Sequence, residues 1–248
     1  MSVEPVVVLV HGAFAESASW NGVIRRLRDH RVDVLAVANP LRDLAEDATY
    51  VRDVVADLGR PVVLAGHGYG GMVISEAAAW NPDVRALVYV AGFAPEPGES
   101  VLQLAAKFPG SKLDKALLLS PLATGGGECR IAEAEYHRQY CADLSAEVAE
   151  LMMVTQRPVT EQALKEGLTV SEPGWLVTPS WFVYGERDLA LPSRTSRFMA
   201  RRARARGIRE LVGASHAVAV SQPGDVTATI LEAAQYVRDA HARRAATL

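Results

Sequence analysis

Short, unbroken apolar runs alternate with amphipathic stretches along most of this chain, and that alternation limits the fold more than any other feature. Residues 5–10 are one such run, rich in valine. A run with no polar alternation suits a parallel strand buried on both faces. Residues 17–29 follow as a helix with Trp20, Val23, Ile24 and Leu27 on one face. A second strand at 32–37 ends at Asn39-Pro40. Residues 44–58 are amphipathic, with Val51, Val54, Val55 and Leu58 at helical spacing. A strand at 61–65, a helix at 70–80 and a strand at 86–91 continue the order. It predicts the α/β class, with a mostly parallel central sheet flanked by helices on both faces.

The rhythm breaks after Ala91, where Phe93-Ala-Pro-Glu-Pro-Gly is a loop signal. From about 99 to 175 no clear strand is legible. Helical stretches there are separated by Pro109-Gly110 and by Gly125-Gly126-Gly127. The best of them, 144–154, carries Leu144, Val148, Leu151 and Met152 as an apolar stripe. This section predicts a helical cap, residues 95–175, inserted into a core made of residues 1–94 and 176–248. Strands resume at 180–184 and 208–212. An amphipathic helix at 226–238, with Ile230, Ala234 and Val237, closes the core.

Composition narrows the partners. Hydrophobic residues make up 49% and charged residues 22% of 248, an ordinary globular balance. The formal net charge of −3 points to no nucleic acid and no anionic membrane. The run Arg201, Arg202, Arg204, Arg206 reads as a solvated helix face rather than a binding patch, because it is short and sits in a near-neutral chain. Residues 1–10 carry Glu4 and only a brief apolar run, which reads as a strand and not as a signal peptide. No apolar stretch approaches membrane-spanning length. Cys129 and Cys141 are too few for a disulfide framework and lack metal-ligand neighbours, so a reduced, cytoplasmic setting with no metal is expected. The oligomeric state is not legible.

Three segments carry the chemistry, each just after an expected strand, where ligands bind in open α/β sheets. His11-Gly12-Ala13-Phe14 is a turn that can present backbone N–H groups, or simply a tight turn. Gly66-His67-Gly68-Tyr69-Gly70-Gly71 has the frame G-x-S-x-G, with glycine at the serine position. The Tyr69 amide there can join Ala13 as a pair of oxyanion donors. A phosphate-binding glycine loop fits less well, because a ribose-binding acid after the next strand is missing. Tyr184-Gly185-Glu186-Arg187-Asp188 and Gly213-Ala214-Ser215-His216 supply the third part. Acid before histidine, both after the elbow, is the order this frame uses. Asp188 would orient the imidazole of His216, which would act as general base and acid. Glu186 is a second candidate acid.

Across nearly its full length the chain resembles the α/β-hydrolase family. It is most similar to a small bacterial esterase-like branch related to plant methyl-ester hydrolases and hydroxynitrile lyases. The segments that carry the resemblance are VLVHGAF, GHGYGGMVISEAA, LVYVAGFAPEPGES, TQRP, YGERD and GASHAVAVSQP. It implies the α/β-hydrolase fold, a sheet of roughly eight strands, a cap lining the pocket, and a Ser-His-Asp triad with no cofactor. By motif match His216 is the base, Asp188 the acid, and Ala13 and Tyr69 the oxyanion donors. Gly68 is the departure. Phe14 and the cap residues Tyr136, His137, Tyr140, Met152 and Trp175 are candidates to line the pocket, with cap-to-core packing an equal alternative.

Glycine has no hydroxyl, so no acyl-enzyme can form at 68. Losing a nucleophilic serine costs on the order of 10⁶ in kcat in a serine protease. Ser17, Ser75 and Ser215 lack the elbow position, and His67 is expected to point away from the pocket. Three functions stay open. The first is an esterase-like hydrolase of small organic esters lacking its nucleophile, inactive or substrate-trapping. The second is a non-hydrolytic enzyme transferring protons through the His216–Asp188 pair, such as a lyase, isomerase, cyclase or cofactor-free oxygenase. The third is a small-molecule binding protein. The first ranks ahead because base, acid and oxyanion loop are kept together. The expected ligand is a moderately apolar ester or carbonyl compound.

Overall fold

The structure, a computed structural model, describes residues 4–245. The parts of the expected core at 1–3 and 246–248 lie outside the described residues. In chain order, β1 (Val6–Val10), α1 (Asn21–Asp29), β2 (Val34–Val37), α2 (Leu44–Leu58), β3 (Val62–His67), α3 (Gly70–Ala77) and β4 (Val84–Val90) come first. Then follow α4 (Val101–Ala106), α5 (Leu113–Ala116), β5 (Leu117–Pro121), β6 (Gly127–Ile131), α6 (Glu133–Tyr140), α7 (Ala146–Val154), β7 (Val159–Thr160) and α8 (Glu161–Lys165). The chain ends with β8 (Ser180–Gly185), α9 (Ser193–Arg202), β9 (Gly207–Leu211), α10 (Val218–Ser221) and α11 (Pro223–Ala245).

Six strands form one sheet in the order β2-β1-β3-β4-β8-β9, and every pairing is parallel. Each residue of β1, β3 and β8 is buried, as the unbroken apolar runs require when helices cover both faces. Burying one such valine or leucine contributes about 1.5–3 kcal/mol before entropy is counted. The sheet is smaller than the roughly eight strands implied by the resemblance. Three further strands, β5-β6-β7, pair antiparallel in a separate sheet.

Those three strands correct the expectation of a helical section at 95–175. The triple glycine is a hairpin turn rather than a helix break. Gly125 and Gly126 take φ of +94° and +72°, which a side chain would resist, and Leu122 donates to the Gly126 carbonyl at 3.1 Å. Strand β5 is hard to see in the sequence because Leu118 and Leu119 face solvent. In β6, Gly127, Cys129 and Ile131 alternate inward, a period-two signal only three residues deep.

Candidate active site

The bend at Gly68 sets the geometry. β3 ends at His67 and α3 begins at Gly70, so the chain reverses within two residues. A Cβ at Gly66 would collide with the Gly70 carbonyl, and one at Gly70 with the carbonyl of Val10. Strand, helix and β1 therefore pack backbone to backbone. Gly68 itself has φ +52°, where a side chain costs about 1–3 kcal/mol. Its carbonyl accepts from Gly71 N at 3.0 Å and Phe93 N at 3.1 Å. A Cβ built on Gly68 would lie 3.1 Å from His216 Nε2.

Asp188 and His216 follow the neighbouring strands β8 and β9, whose parallel pairing brings the two loops together. Both side chains are buried. His216 Nδ1 lies 2.7 Å from Asp188 Oδ2. The other oxygen, Oδ1, accepts from the amides of Ala190 at 2.8 Å and Leu191 at 2.7 Å. A carboxylate fixed in this way keeps the proton on Nδ1 and turns the Nε2 lone pair toward Gly68. No side-chain or backbone atom among the described residues hydrogen-bonds Nε2. Glu186 does not reach the imidazole; it accepts from the Gly213 amide at 3.0 Å. Ser215 donates to Asp143, and Ala217 N donates to Tyr140 O at 3.1 Å, so the His216 loop is tied to the 95–175 segment on both sides.

His67 stays out of the cavity lining, yet its ring packs beside that of His216 with centroids 4.8 Å apart. Its Nε2 lies 3.1 Å from the His216 carbonyl, a partner remote in sequence. Burial, with the nearby His216 adding to it, pushes His67 down to about 3. Burial likewise pushes His11 down to about 4. Both rings are therefore uncharged at neutral pH.

The loop after β1 lies against the bend, so that a Cβ on Gly12 would sit 3.1 Å from the Tyr69 amide. Neither the Ala13 nor the Tyr69 amide donates to a protein atom among the described residues. The loop is held from several sides. Asn39 Nδ2 donates to His11 O at 3.0 Å, Tyr140 OH to Ala13 O at 3.0 Å, and Tyr136 OH to Phe14 O at 2.8 Å. The Tyr69 phenol donates to buried Asp47 at 2.8 Å. Burial pushes the Asp47 carboxyl up to about 6, against the pull of that hydrogen bond.

Between these parts lies a cavity of about 20 Å³, lined by Ala13, Phe14, Tyr69, Tyr140 and His216 and closed by Val101, Leu113 and Leu164. A site of roughly 10–15 Å³ is the size of one water, so this cavity is too small for an ester.

Residues 7–230 match the model of the alpha/beta hydrolase family. The chain belongs to that family. It is 26% identical to an alpha/beta hydrolase, nvfD, of Aspergillus novofumigatus, over 94% of this chain and 97% of that protein. It is 36% identical to a carbendazim hydrolyzing esterase of a Nocardioides species, over 40% of this chain and 47% of that one. The crystal structure of polyneuridine aldehyde esterase shares the fold, with a TM-score of 0.78 at 19% identity, covering 92% of this chain and 98% of that chain.

In this family member, His216, Ala13, Tyr69, Phe14 and Tyr140 line one cavity, with Gly68 and Asp188 placed against His216. Tyr136 and Met152 line a separate groove outside it. His137 and Trp175 line neither. His137 Nε2 lies 2.9 Å from Leu144 O, because the ring faces the turn between α6 and α7. Trp175 donates to Pro95 O at 2.7 Å, since residues 174–176 form a 3-10 turn packed on α3. Sequence reasoning missed Asp47, Asn39 and Asp143. Asp47 looks like an ordinary acid in the first turn of a helix, Asn39 like a strand stop, and only the fold brings them to the site. Among the described residues no group of three or more His, Cys, Asp or Glu could hold a metal ion. No helix there is long and apolar enough to cross a membrane.

Proposed function

We propose that this chain is an esterase-type hydrolase scaffold that binds a small, moderately apolar ester without forming an acyl-enzyme, because Gly68 stands at the nucleophile position. One observation carries the reading. A side chain at 68 would point its first carbon to 3.1 Å from the free Nε2 of an imidazole backed by a buried aspartate. A serine hydroxyl there would hand its proton to Nε2 while attacking a carbonyl, with the Ala13 and Tyr69 amides facing the developing oxyanion. With glycine, His216 is left as a base with no covalent partner. The likeness to a carbendazim hydrolyzing esterase supports an ester as the substrate class. Residues 95–175 act as the cap in this reading, and two buried free thiols suit a reducing, cytoplasmic setting.

The test is Gly68→Ser beside the unmodified protein, on short-chain aryl and methyl esters, with fluorophosphonate labelling of both. The expected result is hydrolysis and a label at residue 68 in the serine form alone. In that form Asp188→Asn lowers kcat by about 10⁴. A serine form that neither turns over nor takes the label overturns the reading.

A second reading rests on the same unpartnered Nε2. A buried base facing a water-sized cavity can remove a proton from carbon next to a carbonyl without any nucleophile. Solvent deuterium entering such a ligand, abolished by His216→Ala, would favour it.

A further inference from the structure

A cavity of about 20 Å³ beside His216 cannot admit an ester, so part of its wall must move. Phe14 marks which part. It lines the inner cavity and also a groove of about 220 Å³ on the other side, formed with Ala15, Ala18, Val148, Leu151 and Met152. We propose that this groove receives the uncharged alkyl or aryl arm of the substrate, and that Phe14 is the specificity-determining gate between groove and His216. The inference rests on the esterase-type reading above.

The backbone of Phe14 is held, so opening the partition falls to a turn of its ring about the side-chain torsions. Its N donates to Arg157 O at 3.1 Å and its carbonyl accepts from Tyr136 OH at 2.8 Å. Its φ of +61° is a conformation few side-chain-bearing residues adopt, kept here by those two bonds. The buried ring forms the partition between cavity and groove, and its one aromatic neighbour among the described residues is Tyr140, met edge-on with centroids 6.3 Å apart. Beyond it, α7 buries a single residue, Ala149, and leaves Leu151 61% exposed. An apolar helix face left open beside a polar-poor cavity is continuous with the cavity once Phe14 swings. Glu16 at the groove rim disfavours a carboxylate at the far end of the arm. Phe14 also adjoins Ala13, so seating the arm sets the amide that faces the carbonyl oxygen.

The experiment is calorimetric titration of the unmodified protein with methyl esters of straight-chain acids, butanoate to decanoate. Affinity is expected to rise about fourfold per added methylene until the groove is filled. Leu151→Arg, on an exposed site that tolerates charge, is expected to erase that rise. Phe14→Ala is expected to raise affinity for methyl benzoate several-fold relative to methyl butanoate. Affinity independent of chain length, or a rise that survives Leu151→Arg, overturns the groove; these two measurements decide it even if Phe14→Ala does not fold. A Gly68→Ser protein that takes no fluorophosphonate overturns the esterase reading instead, and the two failures are told apart by which measurement is lost.

Discussion

Gly68 is a compromise that a single residue resolves. At φ +52° a side chain pays strain of about 1–3 kcal/mol, while glycine loses about 0.5–1 kcal/mol through its freer unfolded state. The added Cβ also presses on His216 Nε2 at 3.1 Å, so the imidazole must give by a few tenths of an ångström. The balance favours glycine. Gly68→Ser should therefore lower stability by about 1 kcal/mol in urea unfolding, as it restores the attacking hydroxyl. A clear rise in the unfolding midpoint would contradict the strain account. The dyad is legible in the sequence for a simple reason: Asp188 and His216 each stand a few residues past a buried apolar run, and parallel strands carry such ends to one edge.

At the scale of elements, α6 is the clamp on the loop after β1. Tyr140 and Tyr136 are one helical turn apart, pack as tilted rings with centroids 5.2 Å apart, and donate to the successive carbonyls of Ala13 and Phe14. Tyr140→Phe leaves the buried Ala13 carbonyl unpaired, which should cost about 1–2 kcal/mol in unfolding free energy. In a serine-bearing protein it should also lower kcat more than it raises KM, because the Ala13 amide loses its anchor. Tyr136→Phe should cost a similar stability and move kcat less, since it frees the next carbonyl along. Equal kcat losses for the two would overturn the clamp. None of this was legible in advance. The sequence marks Tyr136, His137 and Tyr140 alike as aromatic cap residues; which of them turns inward depends on how α6 packs over residues 11–14. The same holds for β5 and β6, whose pairing is carried by a glycine turn and whose outward leucines hide the alternation. The central strands β1, β3 and β8 have no such ambiguity, because strands buried on both faces are apolar almost throughout.

Acid stability is a property of the whole molecule, and three buried groups around the site pull it in opposite directions. His11 and His67 titrate near 4 and 3 when folded and near 6.5 when unfolded. Between those values the unfolded chain binds more protons, so each contributes stability that is present above about 6.5 and lost as the pH falls. Asp47 runs the other way. Its folded value near 6 exceeds the unfolded 3.8, so the folded state binds the extra proton, and stability is gained as the pH falls from about 6 toward 4. Near pH 5 the two histidines release close to two protons on folding and Asp47 takes up close to one. The net is about one proton, or about 1.4 kcal/mol lost per pH unit of acidification. Asp47→Asn removes the compensating carboxyl. Its unfolding free energy should fall about twice as steeply between pH 6 and 4.5, while above pH 7 it should match or exceed that of the unmodified protein. Urea unfolding at a series of pH values measures both slopes. Equal slopes would mean that Asp47 ionises in the folded state as it does in the unfolded one, and that the Tyr69 phenol is held by an ordinary carboxylate.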